Sequence, residues 1–343
     1  MKTLRIRFPA GGTLLQALVG LLLFGLVLEA FARTSYAGKV LPMQAYGDSH
    51  PTFGVQLNML KDRVKRDGAV DCIFIGSSQV AYDINPGIVE ETVDRLTGRT
   101  IRCQNFGIAG QVTRSLPALA TLLIREFQPS VLIFGTGMYD YSSTTEVDPY
   151  ESLISSPWIR YGSDELTVDG WLIDNSDAYR YYLGLQRVFF EGAEIIRHPT
   201  GNGYGPPAYE RVGTTPEVQA LYFQEGLKRA GIGARRAESL RRFFELQSPR
   251  TRTAVLELPM DPLMLSVIPD AVRVNERFEA MLKRETAAAG VLHWRSDDPI
   301  PNGGWYDLIH LNGAGARYFG GIVGGFMADA ILAGSIELSE GTD

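Results

Sequence analysis

Short apolar runs alternate with helix-like stretches between residues 71 and 135, and this alternation constrains the fold of the chain more than any other feature. Cys72-Ile73-Phe74-Ile75 has no polar break and stops at Gly76-Ser77-Ser78. A strand covered on both faces reads this way; a half-exposed strand would alternate apolar and polar residues. Asn85 then offers a helix cap, Pro86 stands at the first helical position, and Gly98 closes the helix. A second strand is expected over 100–105, a helix over 116–127, and a third strand over 131–134 that ends at Gly135. This order predicts a doubly wound parallel sheet between two helical layers, a three-layer α/β/α sandwich. The pattern resumes with a strand at 253–258, a helix at 272–289, a strand at 291–294 and a helix at 313–332. Residues 141–250 interrupt it with helical segments at 177–197 and 234–246 and a loop rich in Gly, Pro and Tyr at 201–209, and read as a helical insertion over the active-site face.

Ahead of this pattern, Lys2, Arg5 and Arg7 precede an apolar stretch from Leu14 to Leu28 that is broken only by Gln16 and glycines. Residues 11–32 match the length of a bilayer-spanning helix. Basic residues before the run assign 1–12 to the cytoplasm and send the remainder of the chain across the membrane. Residues 13–32 read as a retained transmembrane anchor. A cleavable signal peptide is the alternative, because Ala30-Phe31-Ala32 offers a small-x-small pattern. Either way the α/β domain, 69–335, is expected on the extracytoplasmic, periplasmic side. Residues 33–68 read as a juxtamembrane segment with a helix over 56–66.

A chain of 343 residues with 45% hydrophobic and 21% charged residues suits one α/β domain with an insertion and excludes global disorder. A net charge of −6 without a basic stripe argues against a nucleic-acid partner. Arg235-Arg236 and Arg241-Arg242 read as the wet face of a helix. Two cysteines, Cys72 and Cys103, are too few for a disulfide framework. They read as buried free thiols on strands, with an inter-strand disulfide as the alternative in an exported domain. No CxxC and no His/Cys cluster is present, so neither a metal nor another cofactor is expected.

Acyl transfer through serine needs a base within hydrogen-bond reach, a carboxylate that fixes the tautomer of that base, and donors aimed at the oxyanion. The chain has four histidines. His50 stands beside Pro51, His198 precedes Pro199, and His293 lies in a strand between Leu292 and Trp294. His310 alone sits in a loop with a carboxylate three residues upstream, in Asp307-Leu308-Ile309-His310. That step lets Asp307 reach Nδ1 and leaves Nε2 for a serine. Ser78 comes after the first strand, at a turn that lifts a side chain above the sheet. Taken alone, Gly76-Ser77-Ser78 also reads as a plain strand-to-helix turn with serine as cap. Gly47-Asp48-Ser49 is rejected as the nucleophile motif, because no continuous apolar strand precedes it and His50-Pro51 comes directly after it.

Taken together, these blocks resemble the SGNH (GDSL-like) hydrolase superfamily over residues 70–140 and 253–330. The resemblance implies a flavodoxin-like fold, Ser78 as nucleophile and oxyanion donor through its own N–H, and Asp307 and His310 as orienter and base. Asn105-Phe106-Gly107-Ile108-Ala109-Gly110-Gln111-Val112-Thr113 resembles the second family block and implies Gly110 as a further N–H donor. The third block departs: in Gly135-Thr136-Gly137-Met138-Tyr139-Asp140 a glycine stands where the family carries an Asn donor. Thr136, Tyr139 or a backbone N–H are the candidates to replace it. Tyr139 and Asp140 read either as substrate or oxyanion contacts or as the hydrogen bonds that fix the loop, and Met260-Asp261-Pro262 carries the same two readings. The departure is similar to a membrane-anchored branch that modifies cell-envelope polymers, with proteins of teichoic-acid D-alanyl transfer and alginate O-acetylation among them. The implied function is a serine esterase or O-acyltransferase on acyl, chiefly acetyl, esters of a cell-envelope or exported polysaccharide. Its implied partners are an acylated carbohydrate or other ester, a membrane acyltransferase and the membrane itself. The alternative is a catalytically inactive accessory protein that binds glycan or scaffolds such an acyltransferase. The insertion aromatics Tyr179, Tyr181, Tyr182, Phe189 and Phe190 read as helix packing, with a carbohydrate platform as the second reading.

Overall fold

In the computed structural model of the protein, the described residues are 11–47, 50, 52–110, 113–141, 156–162, 165–190, 201–205, 216–228 and 234–338. Lys2, Arg5, Arg7, Asp48, Ser49, Gln111, Val112, His198 and much of the insertion lie outside them.

Five parallel strands form the sheet: β1 (Cys72–Gly76), β2 (Cys103–Gly107), β3 (Val131–Thr136), β4 (Arg252–Glu257) and β5 (Leu292–Trp294). Their order is β2-β1-β3-β4-β5, the doubly wound order of flavodoxin-like sheets. Alternate residues of each strand feed opposite layers. Phe74, Ile133 and Leu256 join Val89 and Val93 of α5 (Pro86–Thr97) and Phe319 and Val323 of α14 (Gly313–Leu332) in one core. Ile73, Ile75, Leu132 and Val255 join the other core, against α3 (Phe53–Asp67), α6 (Leu116–Phe127) and α13 (Ala271–Ala289). Both faces of the sheet are thus covered, which is why β1 contains no polar break. Gly324 lets α14 press onto α5, since a Cβ there would come within 2.5 Å of the Thr92 Cβ. Asn85 caps α5 by accepting from the Gly87 N–H at 3.0 Å, and Gly98 ends it in the left-handed conformation, as its sequence signals predict.

Three expectations need correction. Strand β2 begins at Cys103 and runs through Gly107, later than the 100–105 run, because its partners set its place: Cys72 faces Cys103 and Gly76 faces Gly107. The chain also turns helical at once after β1, as α4 (Ser78–Asp83), before Pro86 opens α5. The cysteines, expected as free thiols, are bonded across β1 and β2 with their Cα atoms 4.6 Å apart. Direct opposition on neighbouring strands leaves the two thiols no other partner as near. The bridge closes a loop with a sequence separation of 31. Chain-entropy arguments give such a closure about 3–4 kcal/mol. Replacing both cysteines with alanine is expected to cost that much in urea unfolding measured under oxidising conditions; a loss below about 1 kcal/mol would show that the bridge does not form.

The long N-terminal helix α1 (Gly11–Ala32) is apolar, is exposed over 12–28, and is long enough to cross a membrane, a property that a signal sequence shares. It leads into α2 (Ser35–Val40). The insertion contributes α7 (Pro157–Gly162), α8 (Val168–Asn175), α9 (Asp177–Phe190), α10 (Pro216–Lys228) and α11 (Ala234–Phe244). Arg241 and Arg242 lie on the exposed face of α11 and pair with Glu285 and Glu238, as their charge pattern predicts. Tyr182, Phe189 and Phe190 of α9 are exposed, against the expectation that they pack within the helical layer.

Candidate active site

Ser78 is the first residue of α4, immediately beyond the carboxyl end of β1. Ser77 caps that helix by accepting from the Gln79 N–H at 3.4 Å. The turn therefore divides its two serines: one hydroxyl satisfies the helix start and the other is left for chemistry. Ser78 Oγ lies 2.8 Å from His310 Nε2, and His310 Nδ1 lies 2.8 Å from Asp307 Oδ2. An ionised carboxylate can only accept, so the Asp307 contact puts the histidine proton on Nδ1 and leaves Nε2 free to accept from Ser78. The side chains of His310 and Asp307 are each 13% exposed, enough to meet a substrate while keeping bulk water off the relay.

Local hydrogen bonds, not a long element, hold the base in place. Asp307 Oδ1 accepts the Ile309 and His310 N–H groups, both at 2.8 Å, so one carboxyl group both folds the tight turn and orients the ring. The Leu308 carbonyl accepts the Asp261 N–H at 3.1 Å, which gives Asp261 a structural part in this loop. The same Asp261 also caps α12 (Pro262–Val267). Asn312 caps α14 by accepting from the Ala314 and Gly315 N–H groups at 3.0 and 3.1 Å. The Tyr82 ring meets the His310 ring edge-on, with centroids 5.1 Å apart.

A buried carboxyl group supports the same loop from below. Asp83 of α4 is fully buried, and its Oδ1 accepts the Leu311 N–H at 2.7 Å. Burial pushes Asp83 well above the ordinary carboxylate range; the Leu311 N–H opposes that shift, and the charges of Asp307 and Asp140 add to it. Above about pH 4 the unfolded Asp83 is ionised while the folded group keeps its proton, so stability falls by about 1.4 kcal/mol per pH unit until the folded group ionises. Asp83→Asn preserves the acceptor for Leu311 and removes this slope. The stability of the variant relative to wild type is expected to rise with pH across that window in urea melts; parallel curves would refute the assignment.

At the end of β3, Thr136 is buried, and its hydroxyl donates to Asp140 Oδ2 at 3.0 Å. The Gly137 N–H donates to the same oxygen at 3.0 Å. Burial raises Asp140 above its ordinary value, while hydrogen bonds from Gly137, Ser77 and Thr136 pull it back. Thr136, Gly137 and Asp140 are thus engaged with one another at the end of β3. Arg236 of α11 reaches the Asp140 carbonyl at 3.3 Å, so one arginine of the expected solvated face instead ties the insertion to this loop. Tyr139 is half-buried, packs edge-on against Phe223 with centroids 5.1 Å apart, and lines a cavity of about 170 Å³ with Gln79, Gly137, Leu258, Met260 and Ile309. Ser78 and His310 do not line this cavity; their chain neighbours Gln79 and Ile309 do.

At Gly137 a Cβ would come within 2.7 Å of Gln79 Oε1, so the Gln79 carboxamide lies against this position. Gln79 is 2% exposed and donates through Nε2 to the Ile309 carbonyl at 2.9 Å, while its Oε1 has no hydrogen-bond partner among the described residues.

Gly110 lies in the turn beyond β2, with φ +73°, two residues after Ile108, whose N–H donates to the Gly76 carbonyl at 2.8 Å. The carbonyl just before it, that of Ala109, is held by His50 Nε2 at 2.9 Å. His50 is buried, and its Nδ1 takes the Thr52 N–H at 3.2 Å, which puts the ring proton on Nε2. Across a trans peptide the carbonyl and the next N–H point in opposite directions. His50 therefore fixes which way the Gly110 N–H faces. Sequence reasoning set His50 aside because of its place beside Pro51. His293, also set aside, is engaged away from the relay, 2.6 Å from Glu257 Oε1.

No family model matches this chain, and no curated protein matches it. Among solved structures, the lipase/acylhydrolase from Enterococcus faecalis is 12% identical, with 79% of this chain and 100% of that chain covered and a TM-score of 0.38. The inhibitor-bound form of the M. smegmatis aryl esterase is 11% identical, with 77% and 99% covered and a TM-score of 0.35. A carbohydrate acetylesterase from Sinorhizobium meliloti is 13% identical, with 77% and 99% covered and a TM-score of 0.34.

Proposed function

We propose that this chain is an extracytoplasmic serine esterase or O-acyltransferase of the SGNH type, anchored by α1 and acting on acyl esters of a cell-envelope or exported polysaccharide. The observation that carries the reading is the unbroken relay Ser78 Oγ–His310 Nε2, His310 Nδ1–Asp307, each contact 2.8 Å long. Ser78 Oγ attacks the ester carbonyl as its proton passes to Nε2, and Asp307 stabilises the imidazolium that forms. The N–H groups of Ser78 and Gly110 receive the negative oxygen of the tetrahedral intermediate. That intermediate collapses with cleavage of the ester C–O bond, and His310 returns the proton to the leaving alkoxide. Water or a sugar hydroxyl then attacks the acyl-serine, with His310 again as base. Water gives hydrolysis, and the sugar gives transfer. The Cys72–Cys103 bridge supports an oxidising compartment, since disulfides persist there and are rare in the cytosol.

The test is covalent labelling. A fluorophosphonate probe is expected to modify Ser78, located by peptide mapping, and to lose that reaction in His310→Ala. A folded protein that takes no label would favour the accessory reading instead. Acetate release compared with acetyl transfer to an oligosaccharide acceptor then separates esterase from transferase.

A further inference from the structure

Glu29, in the last turn of α1, is built into the folded domain. Its Oε2 accepts from Ser176 Oγ at 2.7 Å and from the Ala178 N–H at 3.2 Å, and its Oε1 accepts from the Asp177 N–H at 3.1 Å and Arg33 Nε at 2.7 Å. One carboxylate thus caps the start of α9, where free N–H groups and the helix dipole favour an anion. Arg33 also reaches the Asn175 carbonyl, at the end of α8, at 3.4 Å. The end of the apolar helix and the junction of α8 with α9 are therefore fixed at one point.

Around that point the surface is unusual. Outside α1, the exposed large aromatic side chains among the described residues are Tyr36, Trp171, Tyr182, Phe189, Phe190 and Tyr318, and all but Tyr318 lie on α2, α8 and α9. Trp171 is 52% exposed and Tyr182 57% exposed. Tyr182 and Phe189 are seven residues apart on α9 and share a face. Tyr179 lies against Tyr182 with ring centroids 5.9 Å apart, and its hydroxyl donates to Asp169 of α8 at 3.2 Å, so the two helices present one surface. Exposed Arg33 reaches this surface through the Asn175 carbonyl, and exposed Lys39 lies on α2. Rings with a polar edge, flanked by basic residues, are the composition that partitions to the headgroup layer of a bilayer.

We infer that α8 and α9 form an aromatic collar seated in the headgroup region of the membrane that α1 spans. The inference rests on α1 being a retained anchor. Lipid is the occupant because the surface begins where the span ends and Glu29 holds the two together. Cleavage after Ala32 would remove Glu29 and uncap α9.

The test uses the full chain reconstituted in phosphatidylcholine–phosphatidylglycerol vesicles that carry a nitroxide near the headgroup. Trp171 is one of four tryptophans, and Trp158, Trp294 and Trp305 are buried. Shallow nitroxide is expected to quench a component of the emission equal to the share of Trp171, and Trp171→Phe should remove that component without changing the melting temperature. Equal quenching of wild type and variant overturns the collar. Alkaline extraction and N-terminal sequencing of the exported protein separate the two readings. A chain that stays in the membrane but shows no Trp171 quenching overturns the collar alone, whereas a released chain that begins after Ala32 overturns both.

Discussion

Ser78→Ala is expected to abolish fluorophosphonate labelling and to lower turnover of an activated ester by at least about 10³-fold. The size of the effect comes from the relay. Without Oγ there is no acyl-enzyme, and only oxyanion stabilisation and substrate binding remain to assist direct attack by water. His310→Ala should fall to a similar residual rate, and the double variant should be no worse than either single one, because the two groups act as a unit. Initial rates with p-nitrophenyl acetate measure this. A folded Ser78→Ala protein with wild-type turnover would remove Ser78 from the mechanism, and additive losses in the double variant would show that Ser78 and His310 act separately.

His50→Ala is expected to lower kcat by about 10²-fold with little change in KM, the cost of one misdirected oxyanion donor. The described hydrogen bonds of the ring go to Thr52 and to the Ala109 carbonyl, which ties it to the Ala109–Gly110 peptide. His50→Gln carries a donor at nearly the same reach and should recover much of the loss, whereas a purely space-filling role would be recovered better by His50→Leu. That contrast, read in kcat and not in melting temperature, decides between positioning and packing. Unchanged kcat in folded His50→Ala would take the Gly110 N–H out of the oxyanion hole.

The elements that a sequence reader can find here are those whose cause is local. Ile73 and Ile75 lack polar neighbours because helices cover both sides of β1, and Asn85, Pro86 and Gly98 mark α5 by backbone chemistry confined to its own ends. Asp307 and His310 are legible because three residues suffice to build their turn. The features that escaped are non-local. The start of β2 is set by pairing with β1, not by its own apolar run, and the disulfide results from that register. The role of His50 depends on a contact 59 residues away, and that of Asp83 on one 228 residues away. Trp158, Phe223, Phe243 and Phe244 of the insertion helices pack inward, whereas Tyr182, Phe189 and Phe190 face outward, so the rule that helical aromatics pack inward fails on α9.

The contact between Gln79 and Gly137 couples the two positions. A Cβ at 137 would meet the far end of the Gln79 side chain at 2.7 Å, so a side chain there makes the carboxamide turn away or needs a smaller residue at 79. Turning away gives up the hydrogen bond from Gln79 Nε2 to the Ile309 carbonyl, next to His310. Gly137→Asn should therefore cost less stability in a Gln79→Ala background than in wild type, and change at one position is felt at the other.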